Sequence, residues 1–368
     1  MKPSQGIDGF LARALGGPVV WDDTIDADKC VERALYGGIA GLLLGQKEWP
    51  EEVLEPLRQQ ARGQAMWELR HRAVLSDLLE AMSARGLRVL VLKGTALAYD
   101  LYDEPASRAR WDSDLLIDPE ELAVARDVLN AQGFGQPVGM NLSDDLKSQE
   151  EWTKHVGETT HSIDLHWSIM NARALRGIVP FDDLWGEAQL LEALSPHARR
   201  MSRVDALIFA CLHRAKHVSS PYMVNGVRFF GGDRLIWAED IFLLAEALDQ
   251  AEWARLVDKA AALGAAAVCL DGLNIAQVRL GCKIPGDVID ALNDQTKGSP
   301  TEQYLLQANA TQQAMQNFKA LPGVWAKIRF LRQNVFPPRG FMEQKYPDMK
   351  GALLWRLYAR RIIDFLRR

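Results

Sequence analysis

The spacing of hydrophobic residues divides the chain into a helical beginning, a short region of strands and a helical end. Apolar residues over 51–85 recur mostly three or four positions apart, which predicts a helix that buries one face. The same spacing returns after about Pro196 and predicts helices over 203–217 and 234–248. Residues 218–232, between these two helices, are rich in serine, proline, glycine and aromatics and predict a loop.

Three short segments in the middle of the chain have the patterns of strands. Residues 88–92 form a partly β-branched apolar run, which predicts a buried strand, and a helix is expected over 95–102. Residues 112–117 predict a second strand. Residues 162–167, in which polar and apolar side chains alternate, predict a third. A polar segment over about 135–150 lies between the last two.

The second predicted strand ends at a clear signal for the start of a helix. Asp118 is a good capping residue, and Pro119 suits the first helical position. The helix that follows is expected to continue to about Gln132 and to stop at Gly133, because glycine commonly terminates helices.

The composition is that of an ordinary globular protein. Of the 368 residues, 48% are hydrophobic and 25% are charged, which excludes a disordered, collagen-like or disulfide-scaffold chain. The longest uncharged apolar stretch, 260–270, is too short to span a bilayer, and no apolar block follows the N-terminus, so we expect no signal peptide. The four cysteines lack CxxC spacing, which argues against a thiolate zinc site and indicates a cytoplasmic location.

The net charge of −5 conceals an uneven distribution. Residues 324–368 contain 11 basic and 3 acidic residues, a net charge of +8, which leaves −13 for the rest of the chain. Leu353 to Leu366 is also amphipathic. This basic tail is expected either to dock on the body or to bind an anionic surface or protein partner. The acidic body argues against stable binding of duplex DNA.

Carboxylates lie on one face of the second predicted strand. Asp112 and Asp114 share parity, as do Arg108 and Arg110 before them, so in an extended chain all four point the same way. Two carboxylates this close repel each other and need a cation between them.

The third predicted strand carries another carboxylate on one face. Ser162, Asp164 and His166 alternate with Ile163, Leu165 and Trp167. If the second and third strands pair, three carboxylates converge, and such a set of hard oxygen ligands suits one or two Mg²⁺ ions.

The first predicted strand ends in a possible phosphate site at Lys93, Gly94 and Thr95. Glycine permits a close backbone approach, a helix N-terminus offers free N–H groups, and Lys93 adds a cation. The spacing of a Walker A loop and the GxGxxG pattern of dinucleotide-binding proteins are both missing.

His213 and His217 lie four residues apart on a predicted helix. Zinc proteases use this spacing with a glutamate after the first histidine, but here Arg214 occupies that position. We therefore expect these histidines to pack against neighbouring helices, near the cleft of the predicted carboxylate site.

The order of these segments resembles the bacterial nucleotidyltransferases of the polymerase-β superfamily, and in particular the branch called uncharacterised nucleotidyltransferases. The similar segments are Leu92-Lys93-Gly94-Thr95-Ala96-Leu97, Leu101-Tyr102, Arg108, Asp112-Ser113-Asp114-Leu115-Leu116-Ile117, Ile163-Asp164-Leu165-His166-Trp167 and Trp237-Ala238-Glu239-Asp240-Ile241 followed by Trp253.

The resemblance implies an α+β fold, a small mixed sheet flanked by helices with an α-helical C-terminal domain. It implies that Asp112 and Asp114 bind Mg²⁺ and that Asp164 is a third ligand or the base that deprotonates the attacking hydroxyl. It also implies that Gly94 and Thr95 contact the triphosphate. This chain has a longer gap than the superfamily between Thr95 and Asp112, with 16 intervening residues.

Further roles are expected for neighbouring residues of the same segments. Lys93 and Arg108 or Arg110 are positioned to steady the departing pyrophosphate, and His166 shares the face of Asp164, where it can orient the base or contact substrate. The expected domains are an N-terminal helical region (1–75), a nucleotidyltransferase core (76–195), a helical domain (196–322) and the basic tail (323–368).

The function that we expect is Mg²⁺-dependent transfer of a nucleoside monophosphate from an NTP to an acceptor hydroxyl, with release of pyrophosphate. The acceptor is expected to be a small molecule or a protein. Two alternatives stay open at this point: a non-catalytic module of a biosynthetic cluster that binds a nucleotide or a partner, and a toxin-like or defence nucleotidyltransferase.

Overall fold

The chain is mostly helical. The computed structural model describes residues 3–137, 147–218, 221–224, 227–230 and 232–366. The helices are α1 (Pro3–Leu15), α2 (Ala27–Gly37), α3 (Glu51–Ala84), α4 (Lys93–Asp100), α5 (Leu122–Ala131), α6 (Phe181–Gly186), α7 (Arg203–His217), α8 (Leu235–Glu246), α9 (Gln250–Ala262), α10 (Ala266–Leu280), α11 (Gly286–Asp294), α12 (Pro300–Glu302), α13 (Ala310–Lys319), α14 (Gly323–Val335), α15 (Arg339–Lys345) and α16 (Leu354–Leu366).

Two sheets accompany these helices. Six strands form the main sheet in the order β3-β4-β2-β1-β6-β5, in which β2–β4 and β1–β6 are parallel pairs and the other neighbours are antiparallel. A two-stranded sheet is formed by β7 and β8. The expected α+β class with a small mixed sheet is confirmed. The strands are β1 (Val89–Leu92), β2 (Asp112–Ile117), β3 (Gln149–Val156), β4 (Thr159–His166), β5 (Gln189–Leu190), β6 (Arg199–Arg200), β7 (Pro221–Val224) and β8 (Val227–Phe230).

Alternate residues of the central strands enter two different cores. One core contains Val91, Leu115, Ile117, Ile163 and Leu165 together with apolar residues of α3 and α5. The opposite face of the sheet packs on a core that α1, α2, α7, α8 and α10 form. Each face of the sheet is therefore covered, and polar residues on these central strands need a specific partner or a cleft.

The helix that follows β2 begins as the sequence predicted. The Asp118 side chain accepts a hydrogen bond from the backbone N–H of Glu120 at 2.9 Å, and Pro119 opens a short 3₁₀ turn that leads into α5. Gly133 follows α5 with a φ of +80°, a conformation that favours glycine. The predicted helices over 51–85, 203–217 and 234–248 are present as α3, α7 and α8.

The structure corrects two predictions about loops. Within 218–232, β7 and β8 form an antiparallel pair, so the loop prediction was wrong for these strands; residues 219, 220, 225, 226 and 231 lie outside the described residues. The β-branched and aromatic residues of this segment favour strands, and Asn-Gly between two such runs is a hairpin signal.

The second correction concerns the polar segment over 135–150. Gln149 already belongs to β3, which the sequence did not predict, and residues 138–146 lie outside the described residues. The pattern of β3 is weak because Trp152 is its one buried apolar side chain, as suits an edge strand.

The division at residues 75, 195 and 322 stays a prediction. Helix α3 is continuous through residue 75, and β6 lies just beyond residue 195. No helix within the described ranges is long and apolar enough to cross a membrane.

Candidate active site

Two parallel strands bring the three aspartates to one place. In the pairing of β2 with β4, Asp114 lies opposite Asp164, and Asp112 lies opposite Ser162. His166 follows on the same face of β4, opposite Leu116. The pairing that the parity of these residues suggested is therefore present, and it places the carboxylates on the sheet face that meets the helical core.

The most compact group of ligand atoms is not the three aspartates. Asp114, Asp164 and His166 each offer an atom within 4.8 Å of the others, and within the described part of the chain this is the group of three that could hold a metal ion. Asp112 lines the same cleft but lies outside this trio. The two carboxylates are ligands that suit Mg²⁺ or Mn²⁺, whereas the imidazole is a ligand typical of zinc, iron, copper or nickel, so the trio fits a divalent cation.

Asp114 and Asp164 lie on one wall of a cleft of about 550 Å³, and His166 beside them is buried. This volume is within the range of small-molecule sites. Lys93 and Gly94 at the start of α4 line another part of the cleft, and Trp237 of α8 lines a third. Three elements that are distant in the chain thus enclose one space.

Lys93 is held against the carboxylates by an unusual backbone conformation. Its φ is +47°, and among the described residues it is the one non-glycine residue with a positive φ. Its Nζ donates a hydrogen bond to Asp114 Oδ1 at 2.6 Å, and His166 Nε2 lies 2.8 Å from the same oxygen. Backbone strain of this kind tends to occur at functional sites, so the position of the ammonium group is a feature that the fold maintains.

The surroundings separate the pKa values of the three carboxyls. Burial alone would favour a neutral Asp114, but the Lys93 ammonium and the hydrogen bond with His166 hold its pKa well below the usual range. Burial and the charge of Asp114 raise the pKa of Asp112 to about 6. Burial and the charges of Asp114 and Asp112 raise the pKa of Asp164 to about 7. Asp164 is therefore the carboxyl best matched to accept and release a proton near neutral pH.

Gly94 makes room for an arginine. A Cβ at this position would lie 2.4 Å from Nη1 of Arg108. Arg108 is fixed in turn by Asp240, to which it donates two hydrogen bonds of 3.2 and 2.6 Å, and Tyr102 donates a third bond to that carboxylate at 2.8 Å. Arg108 thus lies where the phosphate approach was expected, and it brings a cation to the cleft wall.

The hydroxyl of Thr95 and the guanidinium of Arg110 are engaged by partners within the protein. Thr95 is buried, with Oγ1 2.8 Å from Ser113 Oγ and 3.2 Å from Nε of Arg110, which donates to it. Arg110 also pairs with Glu68 at 2.5 Å, and its side chain is almost inaccessible. The predicted phosphate contacts that line the cleft are Lys93, Gly94, Arg108 and Arg110. Thr95 is not among the lining residues, and the Arg110 guanidinium is held by Thr95 and Glu68.

Ser113, between the two aspartates of β2, belongs to a buried polar network. Its hydroxyl lies 2.7 Å from His71 Nε2, and His71 Nδ1 lies 3.2 Å from His161 Nδ1. Trp67 stacks on His71 with ring centroids 4.1 Å apart. This network joins α3 to β2 and β4, and it fixes the strand that carries the carboxylates.

Several cleft residues had no signal in the sequence. Gln149 of β3 donates a hydrogen bond to Asp164 Oδ2 at 3.0 Å and accepts one from Asn171. Neither residue belongs to a periodic pattern, so only the folded chain reveals them. His213 and His217, which the i, i+4 spacing did single out, line the cleft beside Trp237.

One comparison with known proteins identifies a family. A model of the family described as uncharacterised nucleotidyltransferase matches residues 25–281, which include strands β1 to β8 and helices α2 to α10. No curated protein and no solved structure matches the chain.

Proposed function

The chain belongs to the uncharacterised nucleotidyltransferase family and is accordingly a transferase, and we propose that it transfers a nucleoside monophosphate from an NTP to an acceptor hydroxyl, with release of pyrophosphate. The observation that carries this proposal is the register of β2 and β4, which sets Asp114 beside Asp164 in a cleft that Lys93 and Arg108 also line.

We assign the metal site to the carboxylates of this cleft. Asp112 and Asp114 are the proposed ligands, and Asp164 beside them is free to act on the acceptor. A bound Mg²⁺ supplies positive charge to the phosphate oxygens and orients them for an in-line displacement.

Asp164 is the proposed general base. Its carboxylate accepts the proton of the acceptor hydroxyl. The acceptor oxygen then forms a bond to the α-phosphorus of the NTP, the bond from this phosphorus to the β-phosphate bridging oxygen breaks, and pyrophosphate leaves with the electron pair. Gln149 holds Asp164 through the 3.0 Å hydrogen bond and so keeps the carboxylate oriented.

The cations at the start of α4 are the proposed phosphate site. Lys93 and Arg108 line the cleft, and the free N–H groups of the α4 N-terminus favour negative charge. These groups neutralise the departing pyrophosphate. In this assignment Arg110 and Thr95 act as positioning residues, because their side chains bond to each other and to Glu68 and Ser113.

The acceptor is proposed to be a small molecule or a protein side chain. Outside the basic tail the chain carries −13, which repels a long polyanion. Glu151 and Ser162, which line the cleft next to Asp164, add polar groups that can hydrogen bond to a hydroxylated acceptor.

The test is pyrophosphate release from each of the four NTPs with Mg²⁺ and a cell extract as acceptor pool. We expect release with the wild type and none with the Asp112→Ala/Asp114→Ala double variant. Asp127→Ala is the matched control, because Asp127 is exposed on α5. Transfer that persists at the wild-type rate in the double variant would contradict the assignment. Nucleotide binding by calorimetry without turnover would favour a non-catalytic module.

A further inference from the structure

The C-terminal tail, residues 323–368, presents large apolar side chains to solvent. On α14, Val324, Ile328 and Leu331 lie three or four residues apart and are all exposed, and Trp325 beside them is 79% exposed. One side of this helix is therefore an apolar stripe in water. Contiguous apolar surface of this kind usually marks an interaction site.

The same helix already packs on the body through its other side. Ala326 is buried, and the ring of Phe330 lies 6.0 Å from that of Phe318 on α13. Docking on the body thus uses different residues from those of the exposed stripe, and it does not account for the stripe.

Helix α16 repeats this arrangement. Its buried Leu357 packs with Met342 and Tyr346 of the segment around α15, and Tyr358 donates a hydrogen bond to the carbonyl of Pro337 at 2.8 Å. Outward from this small core, α16 exposes three further apolar residues, which are Trp355, Ile362 and Ile363.

Cations accompany both apolar faces. Arg332 of α14 and Arg356 of α16 are exposed, and the guanidinium of Arg356 lies 5.4 Å from the ring centre of Trp355. The segment 324–368 carries a net charge of +8. A partner that covers the exposed faces of α14 and α16 must therefore accept both apolar side chains and positive charge.

We propose that the C-terminal tail binds the surface of an anionic phospholipid membrane, with the exposed faces of α14 and α16 in the headgroup region. Two tails facing each other would bring like charges together, which disfavours a second copy of the chain. A nucleic acid would leave the aliphatic residues in water. A membrane with anionic lipid meets both requirements, and tryptophan beside lysine and arginine is typical of helices that lie in the interface.

The charge of the body sets the orientation at this surface. The −13 outside the tail is repelled by anionic lipid, so the rest of the chain stays on the aqueous side while the tail is bound. None of the described helices is able to span the bilayer, so this contact is peripheral.

The experiment is co-sedimentation of the full chain with vesicles of phosphatidylcholine, with or without about 30% phosphatidylglycerol. At about 0.15 M salt we expect binding to the anionic vesicles only, and at about 1 M salt a large loss of binding. Trp325→Ser/Trp355→Ser is expected to weaken binding at least roughly tenfold. Arg332→Gln/Arg356→Gln is expected to weaken it and to flatten its salt dependence.

Matched controls come from exposed apolar residues on the body. Leu69→Ser on α3 and Val278→Ser on α10 change residues that are 69% and 70% exposed, and we expect both to bind vesicles as the wild type does. Absence of binding to anionic vesicles at either salt concentration would overturn the proposal. So would equal weakening by the control variants, tighter binding of the tail to RNA than to vesicles, or a dimer that only the tail variants dissociate.

Discussion

Asp114 and Asp164 face each other across two parallel strands, in direct register. Their carboxylate oxygens approach within 4.8 Å, so the two charged groups repel each other. The fold holds them together with a hydrogen bond from Lys93 to Asp114 and another from Gln149 to Asp164. Such an arrangement costs stability and is retained where the charge has a use. We attribute that use to metal binding and proton transfer.

Since Asp164 is the proposed base, its loss should separate chemistry from nucleotide binding. We expect Asp164→Asn to lower the transfer rate by a factor of about 10² to 10⁴, because the amide cannot accept a proton. NTP binding, measured by calorimetry without acceptor, should fall much less than the rate. Asp127→Asn on the exposed face of α5 is the control. A variant at position 164 that turns over normally would rule out its role as base.

Lys93 combines an ammonium group with a strained backbone, and two substitutions separate these properties. Both Lys93→Met and Lys93→Gly remove the cation, so both should lower kcat/KM by about 10² or more. Glycine adopts the φ of +47° without strain, so Lys93→Gly should be more stable than Lys93→Met by about 1 kcal/mol. Urea denaturation of the two variants measures this difference, and equal midpoints would show that the backbone is not strained there.

Gly94 and Gly63 offer a matched pair of glycine-to-alanine substitutions. A Cβ at Gly94 meets the Arg108 guanidinium at 2.4 Å, whereas nothing lies within 4 Å of one at Gly63 in α3. We expect Gly94→Ala to destabilise the fold by about 1–3 kcal/mol and to lower activity, because Arg108 must leave Asp240. Gly63→Ala should stabilise it by about 0.5–1 kcal/mol. Thermal unfolding of both variants distinguishes the expected loss of stability from the expected gain. A Gly94→Ala protein of normal stability and activity would contradict the prediction.

The sequence predicted correctly those features that depend on residues close together in the chain, such as which side chains of a strand enter the core. The parity of Asp112 and Asp114 against Leu115 and Ile117 predicted which side chains enter the core, and the structure has this arrangement. Asp118 and Pro119 likewise marked a helix start, because capping depends on neighbours in the chain.

Long-range contacts were beyond this reasoning. The hydrogen bond from Gln149 to Asp164 depends on an edge strand with one buried apolar residue, so no periodic pattern reveals it. The hydrogen bond from Arg110 to Thr95 is supported by the ion pair of Arg110 with Glu68 of α3, which lies far from both residues in the sequence. Residue types at a motif position predict the class of chemistry, whereas the tertiary fold decides which hydroxyl or guanidinium faces the substrate.

His71 makes stability depend on pH. Burial, together with the nearby His161 and Arg110, lowers its pKa to about 3, against about 6.5 in the unfolded chain. Between these two values the unfolded state binds a proton that the folded state does not, so stability falls as the pH falls. This residue alone should remove about 2 kcal/mol between pH 7 and pH 5.

The substitution His71→Phe keeps an aromatic ring against Trp67 and removes the titration. We expect a lower stability at pH 7, because Ser113 loses a hydrogen-bond partner, and a weaker dependence of the unfolding free energy on pH. His155→Phe, at the exposed end of β3, is the matched substitution. If the two variants had the same pH dependence, the buried imidazole would not be the source of the acid sensitivity.

The most direct test of nucleotidyl transfer follows two phosphorus labels in parallel reactions with Mg²⁺ and the acceptor pool. One reaction contains NTP labelled at the α-phosphorus and the other contains NTP labelled at the γ-phosphorus, each with wild-type protein and with Asp114→Asn. We expect the α label on the acceptor, the γ label in pyrophosphate, and neither transfer with the variant. The γ label on the acceptor, or release as inorganic phosphate alone, would contradict the proposed reaction.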